Sequence, residues 1–381
     1  MDLSNVVFEK VRCMTICVLA TASSESGALT IYKQFLNALE VGGGDNDWHI
    51  FIADGMPTPT IDNVTYHVCQ TKGWGRMYFD FFGFKQEIHK NSITPNFVFS
   101  LQNTGVRCNV DRCVIYYHQP LPLFKYKINF CDKFAKTYIF YHFLYPLYVR
   151  LFINDNTYFA VQTNSIKNRF QKRFNLDSNR IGIYFPQIEN IAQDALELYE
   201  FEDNTFNFFY PAIPVAYKEH ISIAYAVREM YQHNPEMAKR ILIHFTLKKG
   251  EVVEMDKYIV ENGLERNFVY HGRIPHHQLL SMVKSSNGLL FPSMIETLGL
   301  PLLEAASLGV PVIANDLEYV HEVLSGYEGV KYVAVHDYKD WAEKILSCCS
   351  NMQYAPYVLP EDNSWERLIK LITEGIIENI Q

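Results

Sequence analysis

Phe291-Pro-Ser-Met-Ile-Glu-Thr-Leu-Gly-Leu-Pro-Leu-Leu-Glu-Ala-Ala-Ser-Leu-Gly-Val-Pro-Val-Ile-Ala314 is the stretch on which the fold turns. The apolar run Asn287-Gly-Leu-Leu-Phe291, closed by Pro292, has the pattern of a buried strand. A loop with Glu296 follows. An apolar-faced helix is then predicted over Leu300–Leu308, with Pro301 in its first turn and Gly309 just past its end. Pro311-Val-Ile-Ala314 opens the next strand. Such a strand–loop–helix–strand unit leaves the backbone N–H groups of Thr297, Leu298, Gly299 and Leu300 at a helix N-terminus. Their donors are unpaired and the helix dipole is positive there, so phosphate binds well. Glu296 and Glu304 flank these amides. A carboxylate repels phosphate but accepts hydrogen bonds from sugar hydroxyls. Amides for a diphosphate between carboxylates for two sugars imply a nucleotide-sugar pocket.

The pattern Pro-Ser-x2-Glu-x2-Gly-Leu-Pro-x2-Glu-Ala-x3-Gly-x-Pro-Val, with seven residues between Glu296 and Glu304, resembles the signature of retaining glycosyltransferases of family 4 (group 1), which have the GT-B fold. The resemblance implies that Glu296 contacts the donor sugar near its anomeric centre and that Glu304 holds the nucleotide ribose. It covers about Phe206 to Glu322 well and the earlier chain more loosely.

With 381 residues the chain exceeds one typical core, and two domains of roughly 180 residues are expected. The composition, 48% hydrophobic and 20% charged, is that of a globular protein, and no apolar run reaches the length of a membrane span. Met14 to Ala22 is short, follows charged residues and reads as a first buried strand rather than a signal peptide. The eight cysteines form no zinc-like C-x2-C pair and read as reduced thiols, so a cytoplasmic location is expected. A net charge of −8 argues against a nucleic-acid partner. The charge is uneven. Residues 120–180 hold ten Lys or Arg against three Asp, a local +7, leaving −15 elsewhere. Within that segment, rings from Phe130 to Tyr148 interleave with Lys125, Lys127, Lys133, Lys136 and Arg150, a pattern suited to the headgroup layer of an anionic bilayer.

Strands are expected at Thr15–Ala20, Trp48–Ala53, Val64–Val68, Phe97–Leu101, Cys113–Tyr117 and Tyr158–Thr163. Between the first two, a small-residue loop over 21–28 leads into a helix predicted over Leu29–Glu40, and Gly27 is a candidate for a phosphate or acceptor loop. His118 follows a strand and is pinned by Pro120 and Pro122, at the edge where open α/β sheets bind ligands. The resemblance puts this His beside the donor sugar. An acidic stretch from Glu189 to Asp203 reads as a linker. Beyond it come strands at Phe206–Tyr210, Ile241–Phe245 and Phe268–Tyr270, with helices from about His220 to Tyr231 and from Trp341 to Cys348. A last amphipathic helix is expected from Asn363 to about Ile377.

The expected architecture is α/β and GT-B: a Rossmann-like acceptor-side domain over 1–198, a Rossmann-like nucleotide-sugar domain over 199–360, and a helix over 361–381 that crosses back to the first domain. The resemblance assigns Lys218 to the donor diphosphate. Its usual Arg partner, about five residues earlier, is replaced by Ile213, for which Arg273 is the candidate substitute. The expected function is retaining hexosyl transfer from a UDP- or GDP-sugar to a hydroxyl of a glycan or lipid-linked acceptor, in surface polysaccharide assembly, with no metal or cofactor. A nucleotide-sugar epimerase or hydrolase of the same architecture, and a catalytically weak binding protein, are the alternatives.

Overall fold

The computed structural model describes residues 13–23, 26–71, 74–108, 110, 112–127, 134–186, 196–350, 352–358 and 363–374. The apolar runs become two all-parallel sheets. The first contains β1 (Thr15–Ala20), β2 (Asp47–Ile52), β3 (Val64–Val68), β4 (Phe97–Ser100), β5 (Arg112–Tyr116), β6 (Thr157–Val161) and β7 (Ile181–Ile183), in the order β3-β2-β1-β4-β5-β6-β7. The second contains β8 (Phe206–Tyr210), β9 (Ile241–Phe245), β10 (Phe268–Tyr270), β11 (Gly288–Phe291), β12 (Val312–Asn315) and β13 (Val330–Val333), in the order β10-β9-β8-β11-β12-β13. Helices cover both faces of a parallel sheet, so its inner strands need apolar side chains on both sides. Every residue of β4, β11 and β12 is buried accordingly.

In the first domain α1 (Ser26–Gly42) links β1 to β2. Before β4 come α2 (Trp74–Tyr78), a π-helical turn at Phe79–Gly83, and α3 (Phe84–Lys90). Between β5 and β6 the same device recurs: α4 (Phe134–Ile139), a π-turn at Phe140–Leu144, and α5 (Tyr145–Arg150). Next is α6 (Asn164–Phe174). The second domain has α7 (His220–His233), α8 (Pro235–Ala238), α9 (Val253–Glu261), α10 (His276–Lys284), α11 (Leu300–Ser307), α12 (Glu318–Val323) and α13 (Tyr338–Ser347), and α14 (Ser364–Glu374) ends the described chain.

Each sheet winds outward from its first strand and then returns to that strand's other side. β4 pairs with β1, and β11 pairs with β8. At these reversals the flanking loops part and open a crevice at the carboxyl ends of the strands. The loops after β1 and β4 border it in one domain, and those after β8 and β11 border it in the other.

The last helix belongs to the first core. Trp365 is buried, stacks on Tyr116 at 5.7 Å and donates its Nε1–H to Gln34 Oε1 at 3.1 Å. Leu368, Ile369, Leu371 and Ile372 pack in one apolar cluster with Ile16, Phe35 and Phe99. A second tie runs through α6. Thr163 caps it from within, and Glu322 of the other domain accepts from the N–H groups of Asn164 (2.5 Å) and Ser165 (2.9 Å). Arg169 also pairs with Glu318 at 2.9 Å.

Several boundaries differ from expectation. Helix α1 begins at Ser26, three residues before the predicted Leu29, and so absorbs Gly27 into its first turn. Helix α13 begins at Tyr338, because the Asp337 side chain accepts from Asp340 N at 3.0 Å and caps it ahead of the apolar stripe. Residues 189–195 of the predicted linker, and the predicted helix end at Ile377, lie outside the described residues.

Candidate active site

The loop after β11 reaches across the crevice. Ile295 is 1% exposed and packs in the first domain's apolar cluster with Tyr117, Leu121 and Phe124, and Met294 and Tyr217 lie against the same cluster. This apolar anchor holds the next residue, Glu296, at the domain boundary. Its carboxylate is ion-paired with the Lys218 ammonium, and both side chains are about one-seventh exposed or less (14% and 13%). Lys218 ends a short 3-10 turn after β8, Ala216–Lys218, that Tyr210 braces by donating its hydroxyl to the Lys218 carbonyl at 2.5 Å. The rings of Tyr217 and Phe291 lie 5.7 Å from the ammonium and add a cation–π contribution.

The amides stand next to this pair. Gly299 takes φ +79°, a left-handed conformation that Gly adopts without steric penalty, and turns the chain into α11. A Cβ at Gly299 would meet Leu302 Cδ1 at 3.0 Å, so the turn is tight as well as left-handed. Among the described residues, the N–H groups of Thr297, Leu298, Gly299 and Leu300 donate to no backbone carbonyl. Glu304 lies on α11 one turn in. Its Oε1 is 2.9 Å from His276 Nε2, at the start of α10.

His118 follows β5, half-buried. The Oδ1 of Asn103 accepts from the His118 backbone N–H at 2.6 Å, which turns the Asn103 Nδ2 toward the ring at 3.3 Å. An amide nitrogen only donates, so His118 Nε2 accepts and the imidazole proton sits on Nδ1. Asn103 achieves this from a left-handed φ of +65° in the loop after β4. The Nδ1 atom is buried with no hydrogen-bond partner among the described residues, and burial pushes the His118 pKa down to about 4. At neutral pH it is an uncharged donor.

The remaining candidates are more peripheral. Arg273 is exposed, just past β10 and Gly272. Gly27 is exposed in the first turn of α1, with open space around its Cβ direction. Ile213 is 52% exposed on the loop after β8. No cluster of three His, Cys, Asp or Glu suited to a metal ion occurs among the described residues. Asn103, His276 and Glu322 were not foreseen. None has a spacing signal, since each partner lies 15 to 158 residues away in sequence.

Two Rossmann-like domains with these ties define the GT-B class. Within the second domain, residues 238–356 match the family model of the glycosyl transferases group 1. The chain is 21% identical over 201 residues to the O-antigen chain mannosyltransferase RfbU of Salmonella typhimurium, covering 53% of this chain and 52% of that protein. It is 34% identical over 67 residues to the O-antigen chain mannosyltransferase B of Escherichia coli, 17% of this chain and 18% of that one. The chain thus matches about half or less of these relatives' length. Among solved structures, WaaG, a glycosyltransferase involved in lipopolysaccharide biosynthesis, aligns with TM-score 0.64 at 12% identity, covering 94% of this chain and all of its own. Sucrose-phosphate synthase of Thermosynechococcus elongatus aligns with TM-score 0.63 at 14% identity, covering 95% and 93%. At these identities the structural likeness concerns the fold. Among the described residues no helix is long and apolar enough to cross a membrane.

Proposed function

We propose that this protein transfers a hexosyl group from a nucleoside diphosphate sugar, UDP- or GDP-linked, to a hydroxyl of a glycan or lipid-linked acceptor, with retention, in surface-polysaccharide assembly. The observation that carries this is the meeting of Lys218, Glu296 and the unpaired amides of 297–300 at the domain boundary. The O-antigen relatives support the polysaccharide context, and the similarly folded Anabaena HepE was solved with UDP and glucose (TM-score 0.58).

In the proposed mechanism, the diphosphate lies on the amides of Leu298, Gly299 and Leu300. There the helix dipole and Lys218 stabilise charge on the leaving phosphate. Glu296 orients the donor hexose, Glu304 the ribose, and His118 lines the sugar face. The bond from the anomeric carbon to the phosphate oxygen breaks. The bond to the acceptor oxygen forms on the same face, and the acceptor proton passes to the departing phosphate. These residues supply the electrostatics without a resident cofactor. In this reading the acceptor is met at an anionic membrane surface, a proposal motivated by the local charge of +7 over residues 120–180.

A second reading is a catalytically weak nucleotide-sugar-binding protein, favoured by exposed Ile213 where the family has an Arg. Titration with UDP, GDP and their sugar conjugates, following melting temperature with and without magnesium, tests both. One nucleoside diphosphate should bind, with the shift lost in Glu304→Ala and indifferent to magnesium. No shift with any nucleotide ends the transferase reading, and binding without turnover on any acceptor favours the second.

A further inference from the structure

The two helical segments interrupted by π-turns pack side by side on the first domain. Phe81 meets Tyr148 at 6.0 Å and Phe152 at 5.2 Å between ring centroids, and the Tyr148 hydroxyl donates to buried Asp80 at 2.6 Å. Arg76, Gln102 and Thr104 also donate to Asp80, so the junction is fully hydrogen-bonded. With its polar groups satisfied inward, the pair presents an apolar outer face. Phe140, Phe143, Leu144, Leu147 and Leu151 recur at helical spacing and are 44–67% exposed. Tyr78 and Phe82 extend the face at 51% and 55%. Isolated exposed apolar residues need no explanation, but a contiguous stripe of this length does.

The stripe ends in a depression of about 780 Å³. Phe82, Ile88, Leu151 and Phe152 form its apolar wall, and Lys85 and Arg107 stand in the same lining. Both cations are exposed, and neither forms an ion pair among the described residues. Thr94 and Pro95, which precede β4, and Asn154, which precedes β6, also line it. It therefore opens at the amino-terminal edge of the sheet, opposite the crevice. At its other end the aromatic helix approaches the crevice, where Phe134 meets Tyr217 at 5.4 Å and Tyr126 donates to Glu219 at 2.9 Å.

We propose that this face docks on a bilayer, with Phe143, Leu144, Leu147 and Leu151 entering the acyl layer and the phosphate of an anionic lipid lying between Lys85 and Arg107. Charge decides the occupant. Pairing of this face with a second copy would bring Lys85, Arg107, Lys136 and Arg150 of both chains together, a like-charge contact, whereas an anionic leaflet complements all four. The proposal refines the membrane part of the function above. It binds a lipid at a site separate from the crevice, in a region of the first domain that runs from the crevice rim to the far edge of the sheet.

The experiment is co-sedimentation of the full chain with vesicles of phosphatidylcholine alone and of phosphatidylcholine doped with phosphatidylglycerol, with the UDP and GDP melting shifts read on the same samples. The protein should pellet with the anionic vesicles and much less with the neutral ones. The pairs Phe143→Ser with Leu147→Ser, and Lys85→Glu with Arg107→Glu, should each lower partitioning by about tenfold or more while the nucleotide shift is unchanged. Equal binding of the Lys85→Glu, Arg107→Glu protein removes the lipid-phosphate site. No binding to either vesicle, or a concentration-dependent dimer that Phe143→Ser with Leu147→Ser dissolves, overturns the docking face. Both results leave the transferase reading standing, which only absence of the nucleotide shift would defeat.

Discussion

Lys218 and Glu296 form an ion pair between two loops on either side of the second sheet's reversal point, and the proposed mechanism needs each of them for a different part of the donor. A diphosphate must draw the ammonium away from the carboxylate, so the pair in the free protein competes with ligand. Breaking a buried pair from one side leaves the other charge uncompensated, and an arriving anion then gains from it. Glu296→Gln should lower turnover roughly 100- to 1,000-fold while nucleoside diphosphate affinity holds or rises. Calorimetric titration with UDP and GDP beside a transfer assay checks this. A fall in diphosphate affinity as large as the fall in turnover would contradict the assignment.

Glu304 is held differently, by His276 from the neighbouring helix. Its loss should act on donor binding. Glu304→Ala should raise the donor KM about 10- to 100-fold with a smaller change in kcat. A kcat effect larger than the KM effect would move Glu304 into the reacting centre.

Ile213 leaves the leaving-group side with Lys218 as its assigned cation. Restoring positive charge there, in Ile213→Arg, should tighten nucleoside diphosphate binding about tenfold and raise turnover, since hydrogen bonds from a guanidinium to phosphate are strong. Unchanged affinity would mean that position 213 does not face the phosphates.

Two buried histidines, His220 and His244, and the half-buried His118 make the fold acid-sensitive. Burial holds His118 near a pKa of about 4, and holds His220 and His244 near about 3, all below the ordinary value of 6.5. The unfolded chain takes up these protons below about pH 6.5 while the folded chain refuses them until each folded pKa is reached. Stability is therefore fully present above that pH and falls as pH drops, by up to about 1.4 kcal/mol per unit for each proton. Urea unfolding at about pH 7 and about pH 5 measures the slope, and His220→Asn should reduce it by about one proton. A slope unchanged in that variant would remove His220 from the account.

Trp365 ties the end of the described chain to the first core. Trp365→Ala removes a buried ring stacked on Tyr116 and its bond to Gln34, and should cost about 3–5 kcal/mol in unfolding experiments. A loss under about 1 kcal/mol would show that α14 docks without that anchor.

The inner strands were legible because both faces of a parallel strand are apolar, and Phe206–Tyr210 and Ile241–Phe245 match to the residue; the edge strands Val64–Val68 and Phe268–Tyr270 match as well, on their β-branched and aromatic residues. The three-residue strand at Ile181 and the half-exposed strand at Val330 lack such a run, and they went unassigned. The loop–helix unit around Glu296 was readable because its amides and carboxylates are local in sequence. Asn103, His276 and Glu322 were not, because each acts on a group that only folding brings near. The aromatic segment was legible as basic and ring-rich, but which rings face out depends on the π-turn at Phe140–Leu144. Tyr138, in α4 before that turn, is buried, whereas Phe143 within it is exposed.

Glu322 caps α6 from across the domain boundary, so the first two amides of that helix are protected only while the boundary is shut. Their hydrogen exchange is consequently a clock for interdomain opening. Each excursion that parts the domains bares the N–H groups of Asn164 and Ser165 to water, while the amides deeper in α6 keep their own carbonyl partners. A nucleotide sugar that bridges the crevice should slow exchange at those two sites alone. Ligand occupancy can then be read at a place that the ligand never touches.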